Sequence, residues 1–167
     1  MAAAMPKAIY AGSFDPPTNG HLWMIRTASE LFREVEVAIG VNPDKHYAYR
    51  LADRLALLRA CTDGLKNVIV TSFENQFLVH YARSVGARYI LRGIRNERDY
   101  SFEREMRYIN TDLAPEIITV FLMPPREVAD VSSSFVRGLI GPVGWQDVVK
   151  RFVPEPVYEF FLESHVK

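Results

Sequence analysis

Five short runs, at residues 8–11, 35–41, 68–71, 89–91 and 117–122, are rich in β-branched and aromatic residues and nearly free of polar ones. A strand that faces water on one side alternates apolar and polar residues, whereas a strand covered on both faces does not. Between the runs lie apolar stripes at helical spacing. They are Leu22, Ile25, Ala28, Leu31 and Phe32; then Leu51, Leu55 and Leu58; then Phe77, Leu78, Tyr81 and Val85; then Phe102, Met106, Ile109 and Leu113. Strand and helix in strict alternation demand crossovers, and crossovers in one sheet are right-handed βαβ units. The expected fold is α/β: a Rossmann-like, doubly wound, five-stranded parallel sheet. After Pro124 the pattern turns helical and ends on Val157, Phe160 and Phe161, so C-terminal helices complete a single domain over residues 1–167. Residues 1–6 are expected to fray.

Charge narrows the partners. Twenty Lys and Arg balance twenty Asp and Glu, so there is no basic field to attract nucleic acid without regard to sequence. No apolar run approaches the roughly 20 residues that span a bilayer. The short start Met-Ala-Ala-Ala-Met lacks the apolar segment of a secretory signal, and a cytoplasmic location is expected. The single cysteine, Cys61, leaves no internal disulfide and no multi-cysteine zinc site, and its apolar surroundings predict an inert thiol. His46, His80 and His165 have no metal-ligand spacing.

In open parallel sheets, ligands sit beyond the carboxyl ends of the strands. The unusual residues of this chain cluster there, at 12–21, 42–50, 92–95 and 123–134. The first of these reads Gly12-Ser13-Phe14-Asp15-Pro16-Pro17-Thr18-Asn19-Gly20-His21. It leaves a strand and enters a helix, where N–H groups and the helix dipole favour phosphate. It is neither G-x-G-x-x-G nor G-x-x-x-x-G-K-[ST], so neither a dinucleotide fold nor a P-loop is supported. Thr18 and His21, three apart, share one face of a first helical turn. A plain turn capped by Thr18 or Asn19 is the simpler alternative.

Arg92-Gly93-Ile94-Arg95 closes the fourth run; two guanidiniums flanking a glycine suit bidentate phosphate contacts. Exposed arginines in a turn are the alternative. Val131-Ser132-Ser133-Ser134 places small hydroxyl residues at a helix start, where they either bind an anion or simply cap the helix.

These three elements in this order resemble the (H/T)xGH nucleotidyltransferase superfamily, with Thr18-Asn19-Gly20-His21 as its signature, and within it the phosphopantetheine adenylyltransferase family, over nearly the whole chain. The resemblance implies transfer of AMP from ATP to 4'-phosphopantetheine, giving dephospho-coenzyme A and pyrophosphate, with Mg as cofactor and a homohexamer as the assembly. It implies catalytic roles for His21, Lys45 and Arg95. ATP would meet Ser13, Phe14, His21, Gly93, Ile94, Arg95 and Glu103, together with Val128, Ala129, Asp130, Val131, Ser132, Ser133 and Ser134. The acceptor would meet Ser13, Lys45, Leu78 and Arg92. No protein ligand for the metal is implied; Mg is expected on the ATP phosphates. Val128 stands where the family usually has an aromatic residue, so weaker stacking on adenine is expected. An adenylyltransferase for nicotinate or nicotinamide mononucleotide shares the first loop and a late serine run; a cytidylyltransferase is more distant. A non-catalytic nucleotide sensor on the same fold is the alternative of another class.

The implied chemistry fits the residues. A phosphate monoester is already anionic and needs no base, so the difficulty lies in bringing two polyanions together. Positioned donors and cations answer it.

Overall fold

The structure is a computed structural model and describes residues 6–165. Residues 1–5 of the stretch expected to fray lie outside the described residues; the Pro6 carbonyl accepts from the Arg33 N–H at 3.2 Å. The five expected strands are β1 (Lys7–Gly12), β2 (Glu34–Val41), β3 (Val68–Glu74), β4 (Tyr89–Gly93) and β5 (Ile118–Leu122). They form one sheet in the order β3-β2-β1-β4-β5, with every neighbouring pair parallel. The chain therefore builds outward from β1 to β3, returns to the other side of β1, and builds outward again. The switch point lies between β1 and β4.

The helices follow the sequence stripes: α1 (Asn19–Leu31), α2 (Leu51–Cys61), α3 (Leu78–Ser84) and α4 (Glu97–Leu113). After β5 come α5 (Arg126–Ala129), α6 (Ser133–Leu139), α7 (Trp145–Val149) and α8 (Glu155–His165). One cluster packs Met24, Ile25, Ala28, Phe32 and Leu58 on one face of the sheet; another packs Val79, Ala82 and Ile90 on the other. A third joins Val136, Trp145, Val149, Val157 and Phe161 of the C-terminal helices to Leu57 of α2. Each buried Val, Leu, Ile, Phe or Met among them stabilises the fold by about 1.5–3 kcal/mol relative to exposure. Because α2 is gripped from both sides, its buried residues encircle it: Leu58 faces the sheet, Leu57 faces the C-terminal helices, and Arg54 is buried between.

Four expectations need correction, the first being Phe77 of the third stripe, which precedes α3 and is 61% exposed. Coverage on both faces holds for the central strands but not the edges, where Ile69 and Ile118 stay exposed because the buried clusters on the two faces centre on β1, β2 and β4. Leu31 closes α1 facing solvent, and Met24 takes the core position instead. On α4 only the end of the stripe, Leu113, packs against the core: Phe102 is 58% and Ile109 48% exposed, and the buried residue of this helix is Glu103. No helix among the described residues is long and apolar enough to cross a membrane.

Gly20 shows how tightly the two halves of the chain meet. A Cβ on it would lie 3.0 Å from the Val128 carbonyl oxygen and 3.3 Å from that of Val131. Both obstacles are backbone and cannot swing aside. Gly20→Ala is expected to destabilise the protein by about 1–3 kcal/mol despite alanine's better helix propensity, read as a lower denaturation midpoint with an unchanged slope.

Candidate active site

At the switch point the carboxyl ends of β1 and β4 open into a crevice of about 270 Å³. Of the residues singled out in the sequence, Ser13, His21, Arg92, Gly93, Arg95, Glu103, Val128, Ala129, Val131, Ser132 and Ser133 line it. Phe14, Lys45, Leu78, Ile94, Asp130 and Ser134 are not among its lining residues. Phe14 is fully buried, main chain included, and Ile94 is nearly so. Lys45 is exposed on the loop after β2, and Asp130 and Ser134 point to solvent. Leu78 opens α3 and packs on the core of the opposite sheet face.

The first loop is held in an unusual shape. Phe14 has φ of 46°, a left-handed backbone that a bulky residue adopts only under constraint. The constraint is its ring, edge-on to Tyr10 at 5.5 Å and to His21 at 5.0 Å between centroids. The Asp15–Pro16 peptide is cis. Long-range bonds then tie the loop to the late serine run. The Thr18 hydroxyl donates to the Val131 carbonyl at 3.1 Å, the Ser133 hydroxyl donates to the Pro16 carbonyl at 2.7 Å, and Arg137 donates to the Asp15 carbonyl. The simpler alternatives hold as well. Thr18 caps α1 and Ser132 caps α6 by accepting the Phe135 N–H at 3.1 Å. Capping and lining the crevice are compatible because both helices start at its rim.

The capping box assigns the proton on His21. Nδ1 accepts the Thr18 N–H at 3.0 Å, so it carries no hydrogen, and the ring N–H is at Nε2. Desolvation of the ring, aided by the charge of Arg95, pushes its pKa down to about 4. At neutral pH His21 is a neutral donor, not a cation.

The arginines differ from expectation too. Neither is waiting alone: Arg92 donates to Glu103 and, at 3.2 Å, to the Ala11 carbonyl, while Arg95 grips Asp99 through Nε at 2.7 Å and Nη2 at 3.1 Å. Burial is the largest single influence on Arg92 and lowers its pKa, yet the bond and charge of Glu103 together with the charges of Tyr10 and Asp99 outweigh it, and the net shift is upward. The Asp99 bond raises Arg95, and Arg95 in turn lowers Asp99. Tyr10, which also lines the crevice, is pushed up to about 12 by burial, against the pull of Arg92 and Arg95, and keeps its phenolic proton. Sequence reasoning missed Asp99, although its place four residues after Arg95 is the spacing of a helical ion pair. It also missed Tyr10, Met24 and Pro124, which carry no signal beyond lying near the strand ends. Among the described residues no group of three His, Cys, Asp or Glu could hold a metal ion. The half-buried Cys61 has its thiol pushed up to about 12 by burial, which suits the inert role expected of it.

Residues 9–139 match the family model described as cytidylyltransferase-like. The phosphopantetheine adenylyltransferase of Chromobacterium violaceum is 61% identical, covering 96% of this chain and 98% of its own length. That of Neisseria meningitidis serogroup C is 59% identical, covering 95% and 94%. Among solved structures, the Plasmodium falciparum nicotinic acid mononucleotide adenylyltransferase complexed with NaAD superposes with a TM-score of 0.70 over 96% of both chains, at 14% identity. That last likeness is one of fold.

The folded-state pKa of His21 lies below the ordinary 6.5, so the folded protein binds fewer protons there than the unfolded chain. Its contribution to stability is complete above pH 6.5 and is lost as pH falls towards 4. Two-dimensional ¹⁵N NMR of the free protein is expected to show a proton-free Nδ1 with no titration between pH 5.5 and 8. A midpoint near 6.5 would contradict the assignment.

Proposed function

The chain belongs to the phosphopantetheine adenylyltransferases of the cytidylyltransferase-like family, and from that premise we propose that it transfers the adenylyl group of ATP to 4'-phosphopantetheine. The observation that carries this reading is the single crevice that gathers Ser13, His21, Arg92, Arg95 and the Ser132-Ser133 pair from three distant segments. A phosphate oxygen of the acceptor attacks the α-phosphorus of ATP. The bond from that phosphorus to the bridging oxygen breaks, and pyrophosphate leaves with the electron pair and the charge. No proton has to be removed, which suits a site whose histidine is neutral.

Each residue then has a role set by its geometry. The Nε2–H of His21 donates to a non-bridging oxygen of the α-phosphate as charge builds there. Arg95 and Arg92 exchange their carboxylate partners for phosphate oxygens, Arg95 on ATP and Arg92 on the acceptor. The N–H groups of Ser133 and Ser134 at the start of α6, which have no partner within the helix, face the triphosphate, while the Phe135 N–H stays with the Ser132 cap. Lys45 reaches the reacting phosphate from the neighbouring loop. Mg would be carried by the triphosphate: Asp99 and Glu103 are the two carboxylates lining the crevice, and with no third metal-binding side chain grouped with them among the described residues the donor set offers the metal no cage. When bound, it neutralises triphosphate charge. A cytoplasmic location accords with this small-molecule reaction.

The unpacked stripe of α4, with Phe102 and Ile109 about half exposed, supports a homo-oligomer, by family a homohexamer. Replacing both with Glu is expected to reduce the mass measured by sedimentation velocity. An unchanged assembly would place the interface elsewhere.

The direct test is pyrophosphate release from ATP with a panel of acceptors. Turnover with 4'-phosphopantetheine, dependent on Mg and abolished by EDTA, is expected. Turnover with nicotinate mononucleotide instead, or with CTP instead of ATP, would favour the rival transferases; tight ATP binding without turnover would favour a sensor. His21→Ala is expected to fold and to lose on the order of 10²–10³ in rate.

A further inference from the structure

Arg54 is a puzzle for a stability account. It lies on α2, 2% exposed, and its Nε finds no acceptor among the described residues. An orphaned buried donor destabilises a fold, and an apolar residue of similar volume would fill the slot without that cost. Burial lowers its pKa, opposed by Asp15 and Tyr47.

What Arg54 touches gives it a purpose. Its Nη1 donates to the Ser13 carbonyl at 2.8 Å, fixing the loop that opens the crevice. Its guanidinium carbon sits 4.1 Å from the centroid of the Tyr47 ring. Tyr47 belongs to the loop after β2, and its hydroxyl accepts the Asn42 N–H at 3.0 Å and donates to the Gly40 carbonyl at 3.4 Å. Asn42 in turn accepts the Lys45 N–H at 3.1 Å on its carbonyl and the Asp44 N–H at 2.9 Å on its side chain. The far end of the same loop is clamped by Asp15, whose carboxylate accepts the N–H groups of Ala48 at 2.8 Å and Tyr49 at 2.9 Å. Lys45 is exposed, and among the described residues it makes no ion pair that would hold it. Its position therefore depends on the loop beneath it.

We propose that Arg54, through Tyr47, is a positioning residue that sets the Lys45 loop at a fixed distance from the Ser13 side of the crevice. This rests on the adenylyltransferase reading and on Lys45 acting at the reacting phosphate. A guanidinium suits the task because it can hydrogen-bond in its plane to one loop while its face stacks on the aromatic ring of the other.

The test is a double-mutant cycle. Arg54→Met and Tyr47→Phe are each made in the wild type and in Lys45→Ala, with kcat and both KM values measured and folding checked by thermal melts. Hydrogen exchange is followed at the amides of residues 42–49. In the wild type each substitution is expected to lower kcat by on the order of 10- to 100-fold, as misplaced groups do, with the KM for ATP shifted less than about threefold. In Lys45→Ala the same substitutions are expected to cost less than about threefold more, because coupled residues are not additive. Exchange at 42–49 is expected to accelerate. Losses that multiply, a change confined to KM, or unaltered exchange would overturn the proposal, as would a Lys45→Ala variant of normal turnover, which leaves adenylyl transfer itself standing. Should Arg54→Met fail to fold, Tyr47→Phe carries the cycle. If the wild type turns over no acceptor, the functional reading fails, and exchange at 42–49 still decides whether the tether exists.

Discussion

Thr18 has one hydroxyl hydrogen, and it goes to the Val131 carbonyl across 113 positions of sequence. Much of the site's architecture follows from that bond. With the hydroxyl so engaged, it is the Thr18 backbone N–H that donates to His21 Nδ1, which leaves the ring's only hydrogen on Nε2. The same bond brings the serine run over the first loop, close enough that Gly20 has no room for a methyl group. A crevice between β1 and β4 would be a mere gap at the switch point without this roof.

Beneath the roof, electrostatics are balanced before any ligand arrives. Arg92 and Arg95 carry charge into a half-enclosed space, and Glu103 and Asp99 on α4 neutralise it. A bare pair of guanidiniums would be costly to desolvate in an empty site. Held as ion pairs, they are oriented and ready to exchange one set of oxygens for another. Anion binding here is a competition between carboxylate and phosphate, in which a triphosphate brings more charge than a single side chain.

The sequence made the sheet legible because periodicity and strand composition are local signals, and all five strands fall where the apolar runs stand. The rim residues were legible as a set for the same reason: the turns after strands are marked by Gly, Pro, Ser and Arg. Partnership was not legible. Arg95 and Asp99 lie at helical spacing, yet the mixed-charge run around them reads as a solvated face, and only the turn of α4 towards the crevice gives Asp99 its place. Arg92 and Glu103 sit 11 residues apart with no periodic relation to expose the pair. Phe14 carries an aromatic signal that points towards a ligand, whereas the left-handed backbone sends its ring into the core. Arg54 is concealed for a different reason. A charged residue in a helix reads as surface, and its burial appears only once the loops after β1 and β2 close over α2.

Helix α4 has two faces with different duties. Asp99 and Glu103 project from it into the crevice, while Phe102 and Ile109 project outward without cover. A helix of 17 residues is a stiff rod of roughly 25 Å. Any subunit seated against its outer side would fix the rod's tilt, and with it how firmly both acidic groups grip their arginines. Contact on that outer side and the ease of anion entry are thereby mechanically joined in one element.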